Sequence, residues 1–378
     1  MINVCHIVNL ITGRADGVYA HLKMIFRNCD NTKFQHFLIF QGGGNIEQEL
    51  RAFGVKVYVS PSLKKKISLK AFFDIYKIVK ANRIQIIHTH LIKPYAIAGI
   101  VNVFLRKKLI FNYHGLFLDG NVYNNFVEKI IYRFIHFTIN LFSNVDAVLV
   151  PSKKSKELLM KETKLFPEPI VYYNGSILSR ASSLKNTELY NSVEKLKTEK
   201  LIIALIGRLE IQKRVDRAIE IMKNILLKRR DISLTIFGEG KLEHELRSLV
   251  NNYKLNESVQ FFGYINNLFN YYKLFDIVLF TSEWEGMPLT MWEAMVNEVA
   301  VIAPDVGGFK EILEENNCGL IYKQTDLKDA EEKILKILND EPYRKQLGRN
   351  GKRTVETKYN EKNFIRQIEQ VYLNLSGR

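Results

Sequence analysis

The chain has 378 residues, 47% of them hydrophobic, with three cysteines and a formal net charge of +15. That composition supplies two globular domains with ample core, and no long polar or low-complexity tract points to disorder. Cys5, Cys29 and Cys318 stand far apart, which excludes a disulfide framework or a cysteine metal cluster and points to a reducing, cytoplasmic compartment.

The first residues, Met1 to Val8, read as a strand and lack the basic start and cleavage site of a secretory signal. Charge is spread unevenly. Residues 1–190 carry 26 Lys and Arg against 12 Asp and Glu, whereas residues 191–378 carry 29 against 28. A cation-rich first half points to an anionic partner: nucleic acid, an anionic lipid surface or a phosphorylated substrate.

Short β-branched runs alternate with amphipathic segments, the pattern of a parallel sheet covered by helices. Strands are expected at residues 2–9, 34–40, 55–59, 84–90, 109–113, 145–150 and 170–173, with helices at 18–28 and 68–82. The strand ends carry a loop at 12–17, then His88 and His90, His114-Gly115, Pro151-Ser152 and Asn174-Gly175. His88 and His90 are read as facing opposite sides of their strand, and no His, Asp or Glu spacing supports bound zinc, so no metal is expected. Residues 124–142 are rich in Phe, Ile, Tyr and Leu but hold Glu128, Lys129, Arg133 and His136, too interrupted for a membrane span. They suit either an ordinary buried helix or a helix lying in a lipid interface. Lys64-Lys65-Lys66 and Arg106-Lys107-Lys108 strengthen the second reading, because basic clusters are drawn to anionic lipid.

From residue 176 to 200 the composition turns polar, as in a connection between domains. The pattern then restarts. Strands are expected at 201–206, 233–237, 259–263, 275–280 and 299–302, with helices at 214–228 and 241–253 and a last helix at 360–375. The expected organisation is an α/β fold of two Rossmann-like domains facing across a cleft. These are residues 1–180 and 200–358, with a linker at 181–199 and a C-terminal helix, 359–378, crossing the junction.

The second half holds the most informative stretch, Glu283-Trp284-Glu285-Gly286-Met287-Pro288-Leu289-Thr290-Met291-Trp292-Glu293. It reads as strand, turn and helix start, where an open α/β sheet presents its ligand crevice. Pro288 suits the start of a helix, and Gly286 lets the backbone approach a ligand. Amides from Met287 to Thr290 would favour an anion such as a diphosphate, and Glu285 and Glu293 could accept hydrogen bonds from hydroxyls. Gly207-Arg208-Leu209 with Lys213 adds two cations after a strand end, a planar fork and a point charge that both suit a diphosphate. Amides and cations for phosphate, with carboxylates for hydroxyls, are what a nucleotide sugar requires.

Together these pieces resemble the family 4 glycosyltransferases, a retaining group with the two-domain glycosyltransferase-B fold. The resemblance rests on Gly207-Arg208-Leu209 with Lys213, Gly238-Glu239-Gly240, Phe261-Phe262-Gly263, Glu285 and Glu293, and Val306-Gly307-Gly308 with Glu311. In the first half it rests on His90, His114-Gly115, Ser152 and Asn174-Gly175. It implies that Arg208 and Lys213 bind the donor diphosphate, that Glu293 holds ribose hydroxyls and that Glu285 holds those of the transferred sugar. The backbone of Tyr264 and Ile265 would read the base, Gly238 would lie at the donor, and His114 would sit near the reacting sugar. The Gly13 loop would lie near the phosphates, although Gly13-Arg14-Ala15-Asp16-Gly17 lacks the family's usual glycine pair. Such enzymes usually need no metal cofactor. The resemblance implies transfer from a UDP-linked sugar to a lipid-linked saccharide of a bacterial surface polysaccharide, on the inner face of the cytoplasmic membrane. A nucleotide-sugar 2-epimerase of the same fold is the enzyme alternative. A basic nucleic-acid-binding protein is the other, and no nucleic-acid module supports it.

Overall fold

The computed structural model describes residues 1–9, 17–42, 46–65, 68–114, 130, 134, 137–139, 141–142, 144–162, 167–175 and 187–377. The chain divides into two compact units, Met1–Asn174 with Glu361–Arg378, and Gly175–Asn360.

The first unit is built on a seven-stranded sheet, β1 (Ile2–Ile7), β2 (Phe34–Phe40), β3 (Lys56–Val59), β4 (Ile86–His90), β5 (Lys108–Asn112), β6 (Ala147–Val150) and β7 (Ile170–Val171). Its order is β3-β2-β1-β4-β5-β6-β7, and the pairings are parallel. The order reverses between β1 and β4. Strands covered on both faces are usually apolar runs; Ile86–His90 is buried at every position although three of its five residues, His88, Thr89 and His90, are polar. Cys5, Ile7, Phe37, Ile39 and Ile87 pack on one side with the helices Leu69–Ala81 and Ile92–Leu105. The first of these helices is capped by Ser68, whose Oγ accepts from Ala71 N at 3.2 Å.

Against the opposite face lie the helices Gly17–Asn28 and Glu361–Ser376, whose Phe26 and Tyr372 reach the ring of His6. The last helix buries Phe364, Ile365, Ile368, Val371 and Tyr372. It therefore belongs to the first unit although it follows the second in sequence. Among the described residues of the 124–142 stretch, 130, 134, 137–139 and 141–142 are helical. Ile139 is buried, whereas Ile130, Phe134, Phe137, Leu141 and Phe142 are exposed.

The second unit has a six-stranded parallel sheet: β8 (Leu201–Ile206), β9 (Ile232–Phe237), β10 (Val259–Gly263), β11 (Ile277–Leu279), β12 (Ala300–Pro304) and β13 (Gly319–Tyr322). Its order, β10-β9-β8-β11-β12-β13, reverses between β8 and β11. The core joins β8, β9 and β11 to the helices Val215–Leu226 and Leu327–Asn339. The polar stretch read as a linker is partly structured. Thr187–Glu199 is a helix that buries Tyr190 and Val193, and Lys197 pairs with Asp276. Those two apolar positions, three apart on a charged helix, are enough to dock it.

Candidate functional site

In the second unit the loops that carry the expected residues leave the C-terminal ends of adjoining strands. Gly207-Arg208-Leu209 follows β8 and Gly238-Glu239-Gly240 follows β9, and their backbones run together. Leu209 N donates to Glu239 O at 2.9 Å, and Leu242 N donates to Leu209 O at 3.1 Å. A Cβ on Gly238, whose φ is +141°, would lie 1.9 Å from Gly207 O, and one on Gly240 would lie 2.3 Å from Leu209 O. Glycine is required at both by this close approach.

The sheet order reverses between β8 and β11, the kind of switch point at which open α/β sheets take ligands. Across it Lys213 Nζ meets Glu285 Oε1 at 2.5 Å, with both side chains largely buried. Ser282 Oγ donates to the same oxygen at 2.7 Å. The two loops are also stitched by backbone: Glu283 N donates to Gln212 O at 2.8 Å, and Gln212 Nε2 to Trp284 O at 3.0 Å. Beneath them Glu283 accepts from Arg217 at 2.6 Å and from Arg214 at 3.1 Å. Gln324 Nε2 donates to Glu283 O at 2.6 Å. Arg208 is exposed, and its guanidinium reaches Gln212 Oε1 at 3.2 Å.

Gly286, Met287 and Pro288 lead into the helix Leu289–Val296, which starts without a side-chain cap. Pro288 takes the N-cap position rather than the first helical one, with φ −70° and ψ 133°. Met291 N donates back to Pro288 O at 3.2 Å. Leu289 and Thr290 form the first turn, whose amides have no helical acceptor. Glu293 lies one turn further along and accepts from Tyr272 OH at 2.9 Å. From the β12 exit, Gly308 N donates to Gly286 O at 3.0 Å. Gly307, at φ +53°, comes so close that a Cβ would lie 2.3 Å from Glu285 O. Tyr264 N donates to the Glu239 carboxylate at 3.3 Å, and Ile265 beside it is half-buried. The structure thus brings Arg208, Lys213, Gly238, Glu285 and the 286–293 turn to one edge of one sheet.

Ser282, Gln212 and Tyr272 were not singled out by sequence reasoning. Ser282 adjoins the motif and could have been found; Gln212 and Tyr272 carry no local signal.

In the first unit, Gly13 lies outside the described residues. His114 follows β5 and is partly buried; its Nε2 lies 3.2 Å from His90 Nδ1. Burial, with help from His21, holds its protonation well below the usual histidine range. His21 Nδ1 lies 2.9 Å from Asn174 Oδ1, and Asn112 Nδ2 donates to His21 Nε2 at 3.0 Å. His88 and His90 do not face opposite sides: their rings stack with centroids 4.4 Å apart. Positions two apart on a strand share a face, so the objection to a joint metal site falls.

The family model for Glycosyl transferases group 1 matches residues 186–354, and that for Glycosyltransferase Family 4 matches residues 15–176. The chain is 28% identical over 302 residues to the O-antigen biosynthesis glycosyltransferase WbnH of Escherichia coli, covering 79% of this chain and 81% of that protein. It is 23% identical over 363 residues to the Escherichia coli UDP-Gal:alpha-D-GlcNAc-diphosphoundecaprenol alpha-1,3-galactosyltransferase, covering 93% and 92%. The solved structure of Anabaena Alr3699/HepE in complex with UDP-glucose superposes with a TM-score of 0.81 at 15% identity, covering 99% of this chain and 100% of that one. That likeness shows a shared two-domain fold.

Proposed function

The chain belongs to the family 4 glycosyltransferases, and on that premise we propose that it moves a sugar from a UDP-sugar to a lipid-linked saccharide during assembly of a bacterial surface polysaccharide. The observation that carries the reading is the Lys213–Glu285 pair at the switch point of the second sheet, flanked by Arg208 and by the uncapped helix Leu289–Val296. Arg208, Lys213 and the amides of that first turn meet the diphosphate, a charge-stabilising role of the kind that carries much of catalysis. A carboxylate has about four acceptor sites. Lys213 and Ser282 both bond Oε1 of Glu285, which leaves capacity for the hydroxyls of the sugar. Glu293, steadied by Tyr272, takes the ribose hydroxyls, and the backbone at Tyr264 and Ile265 takes the base.

Transfer proceeds with retention. The bond from the anomeric carbon to the diphosphate breaks, and its electron pair leaves with the phosphate oxygen. The acceptor oxygen bonds the carbon from the same face, and its proton passes to the departing phosphate. Side chains and amides neutralise the leaving group, so the step uses no metal. His114 and the Gly13 loop are the first unit's part in this reading. The names of two relatives support the choice of substrates: one is a structure with UDP-glucose, the other a transferase acting on a diphosphoundecaprenol-linked sugar.

The acceptor places the enzyme on the inner face of the cytoplasmic membrane. No helix among the described residues is long and apolar enough to cross a membrane. The exposed Ile130, Phe134, Phe137 and Leu141 recur at helical spacing, as on a helix that lies in a lipid interface. Phe73, Ile100 and Phe104 are exposed on the helices Leu69–Ala81 and Ile92–Leu105, in the half of the chain that carries the excess of cations. The deciding experiment is a panel of UDP-, GDP- and ADP-sugars. A UDP-sugar should raise the melting temperature and lose its sugar only when a lipid-linked saccharide is supplied. Stabilisation by none of them ends the proposal, and turnover of donor without acceptor replaces it with epimerisation.

A further inference from the structure

The histidine-bearing face of the first sheet carries a second arrangement that sugar transfer does not use. His6 on β1 and His88 on β4 are partners in the parallel register, and His90 shares the face of His88 two residues on. All three are fully buried. One ring nitrogen from each lies within 4.8 Å of the others, and His6 Nδ1 stands 3.1 Å from His90 Nε2. Tetrahedral zinc, with bonds to imidazole of about 2.0–2.1 Å, sets its ligand nitrogens roughly 3.4 Å apart. That pair therefore already has nearly the spacing of two ligands of one ion.

The remaining nitrogens match as well. His88 Nε2 has no hydrogen-bond partner among the described residues. The other nitrogen of each ring is engaged outward: His6 Nε2 with His36 Nδ1 at 3.1 Å, His88 Nδ1 with Tyr372 OH at 2.8 Å, and His90 Nδ1 with His114 Nε2 at 3.2 Å. Metal-bound imidazoles are oriented in this way, one nitrogen toward the ion and the other in a hydrogen bond that sets the tautomer.

We propose that His6, His88 and His90 bind one divalent transition-metal ion of the zinc type, through His6 Nδ1, His88 Nε2 and His90 Nε2. A ligand set of neutral imidazoles without a carboxylate suits zinc, copper or nickel and is unsuited to magnesium or calcium, which take oxygen ligands. Three protein ligands leave a fourth position to water. The three nitrogens, within 4.8 Å of one another, reach the zinc-ligand spacing by a small rotamer adjustment of the rings. The ion would tie β1 to β4 at the point where the sheet order reverses. Through Tyr372 it would fasten the helix Glu361–Ser376, and through His90 it would orient the ring of His114. Metal binding here does not depend on the proposed transfer step, which it would touch only through the orientation of His114.

The test uses the untagged full chain, stripped with a chelator and titrated with Zn²⁺ against a chromophoric competitor, and in parallel with Co²⁺. The expected result is one equivalent bound, a visible Co²⁺ band of a low-coordinate nitrogen site and a higher melting temperature with Zn²⁺. His88→Gln should weaken binding roughly a hundredfold or more and abolish that band, by loss of one of the three protein ligands. Wild-type protein that binds no equivalent, or His88→Gln protein that binds as well as wild type, overturns the proposal. If His88→Gln does not fold, ¹⁵N imidazole spectra of the wild type decide. A proton still shared between His6 Nδ1 and His90 Nε2 at saturating Zn²⁺ means that the rings only hydrogen-bond to one another.

Discussion

Lys213 and Glu285 lie 72 residues apart in the chain, yet their side chains form an ion pair of 2.5 Å across the switch point of the second sheet. Removing one partner of a buried pair strands the other charge, at a cost of about 3–5 kcal/mol, whereas neutralising both is far milder. Lys213→Met should therefore lower both stability and transfer rate, the rate by about 10²–10³-fold. Adding Glu285→Gln should restore most of the stability and none of the rate. Denaturant midpoints beside kcat separate the two effects. Recovery of activity in the double variant would assign the pair to structure alone.

Arg208 makes the opposite case. It is exposed, and its hydrogen bond is to Gln212, so Arg208→Ala should change stability by no more than about 0.5 kcal/mol. If it grips the diphosphate, kcat/KM should nonetheless fall by about 10²-fold. Arg208→Lys should recover only part of that, because a point charge does not reproduce the planar fork. Unchanged kinetics in Arg208→Ala would remove this residue from the donor site.

Gly307 presses on the backbone of Glu285 and Gly286 with a left-handed φ of +53°. Gly307→Ala meets both the conformational penalty and a carbonyl oxygen at 2.3 Å. It should cost about 1–3 kcal/mol and shift Glu285, raising KM for the donor as well as lowering the melting temperature. A fully stable and active variant would show that this turn does not hold Glu285 in place.

Burial holds His21 neutral, its pKa lowered from 6.5 to about 4, partly offset by the hydrogen bond to Asn174. The unfolded chain binds a proton here at a pH where the folded one does not, so stability rises with pH over this window. The contribution, about 3 kcal/mol in order of magnitude, is present above pH 6.5 and is lost as pH falls toward 4. His21→Gln should flatten the acid limb of the stability curve between those limits. An unchanged slope would contradict the assignment.

The stripe formed by Ile130, Phe134, Phe137 and Leu141 is exposed, so Phe134→Ser with Leu141→Ser should leave the folded state nearly as stable as before. Sedimentation with vesicles of anionic phospholipid should fall sharply, and sedimentation with neutral vesicles should be weak for both proteins. Equal binding of the double variant would place the lipid contact elsewhere or nowhere.

Local patterning by itself determined the strands of the first sheet and all of the second except Gly319–Tyr322, because most strands buried on both faces are apolar runs and their exits carry turn and polar residues. Leu201–Ile206 and Val259–Gly263 were legible to the residue, and Arg208, Lys213 and Glu285 were legible as motifs. Only the tertiary structure decided what depends on strand order and on distant chain. It set Lys213 against Glu285, brought Gln324 under Glu283 and attached the last helix to the first unit. It also docked the polar helix Thr187–Glu199, whose two buried side chains are invisible in a composition average. The histidines show the division most plainly. They are scattered over three segments of sequence, and a face of β1, β2 and β4 gathers His6, His36, His88 and His90 because parallel register, a long-range property, sets which residues stand side by side.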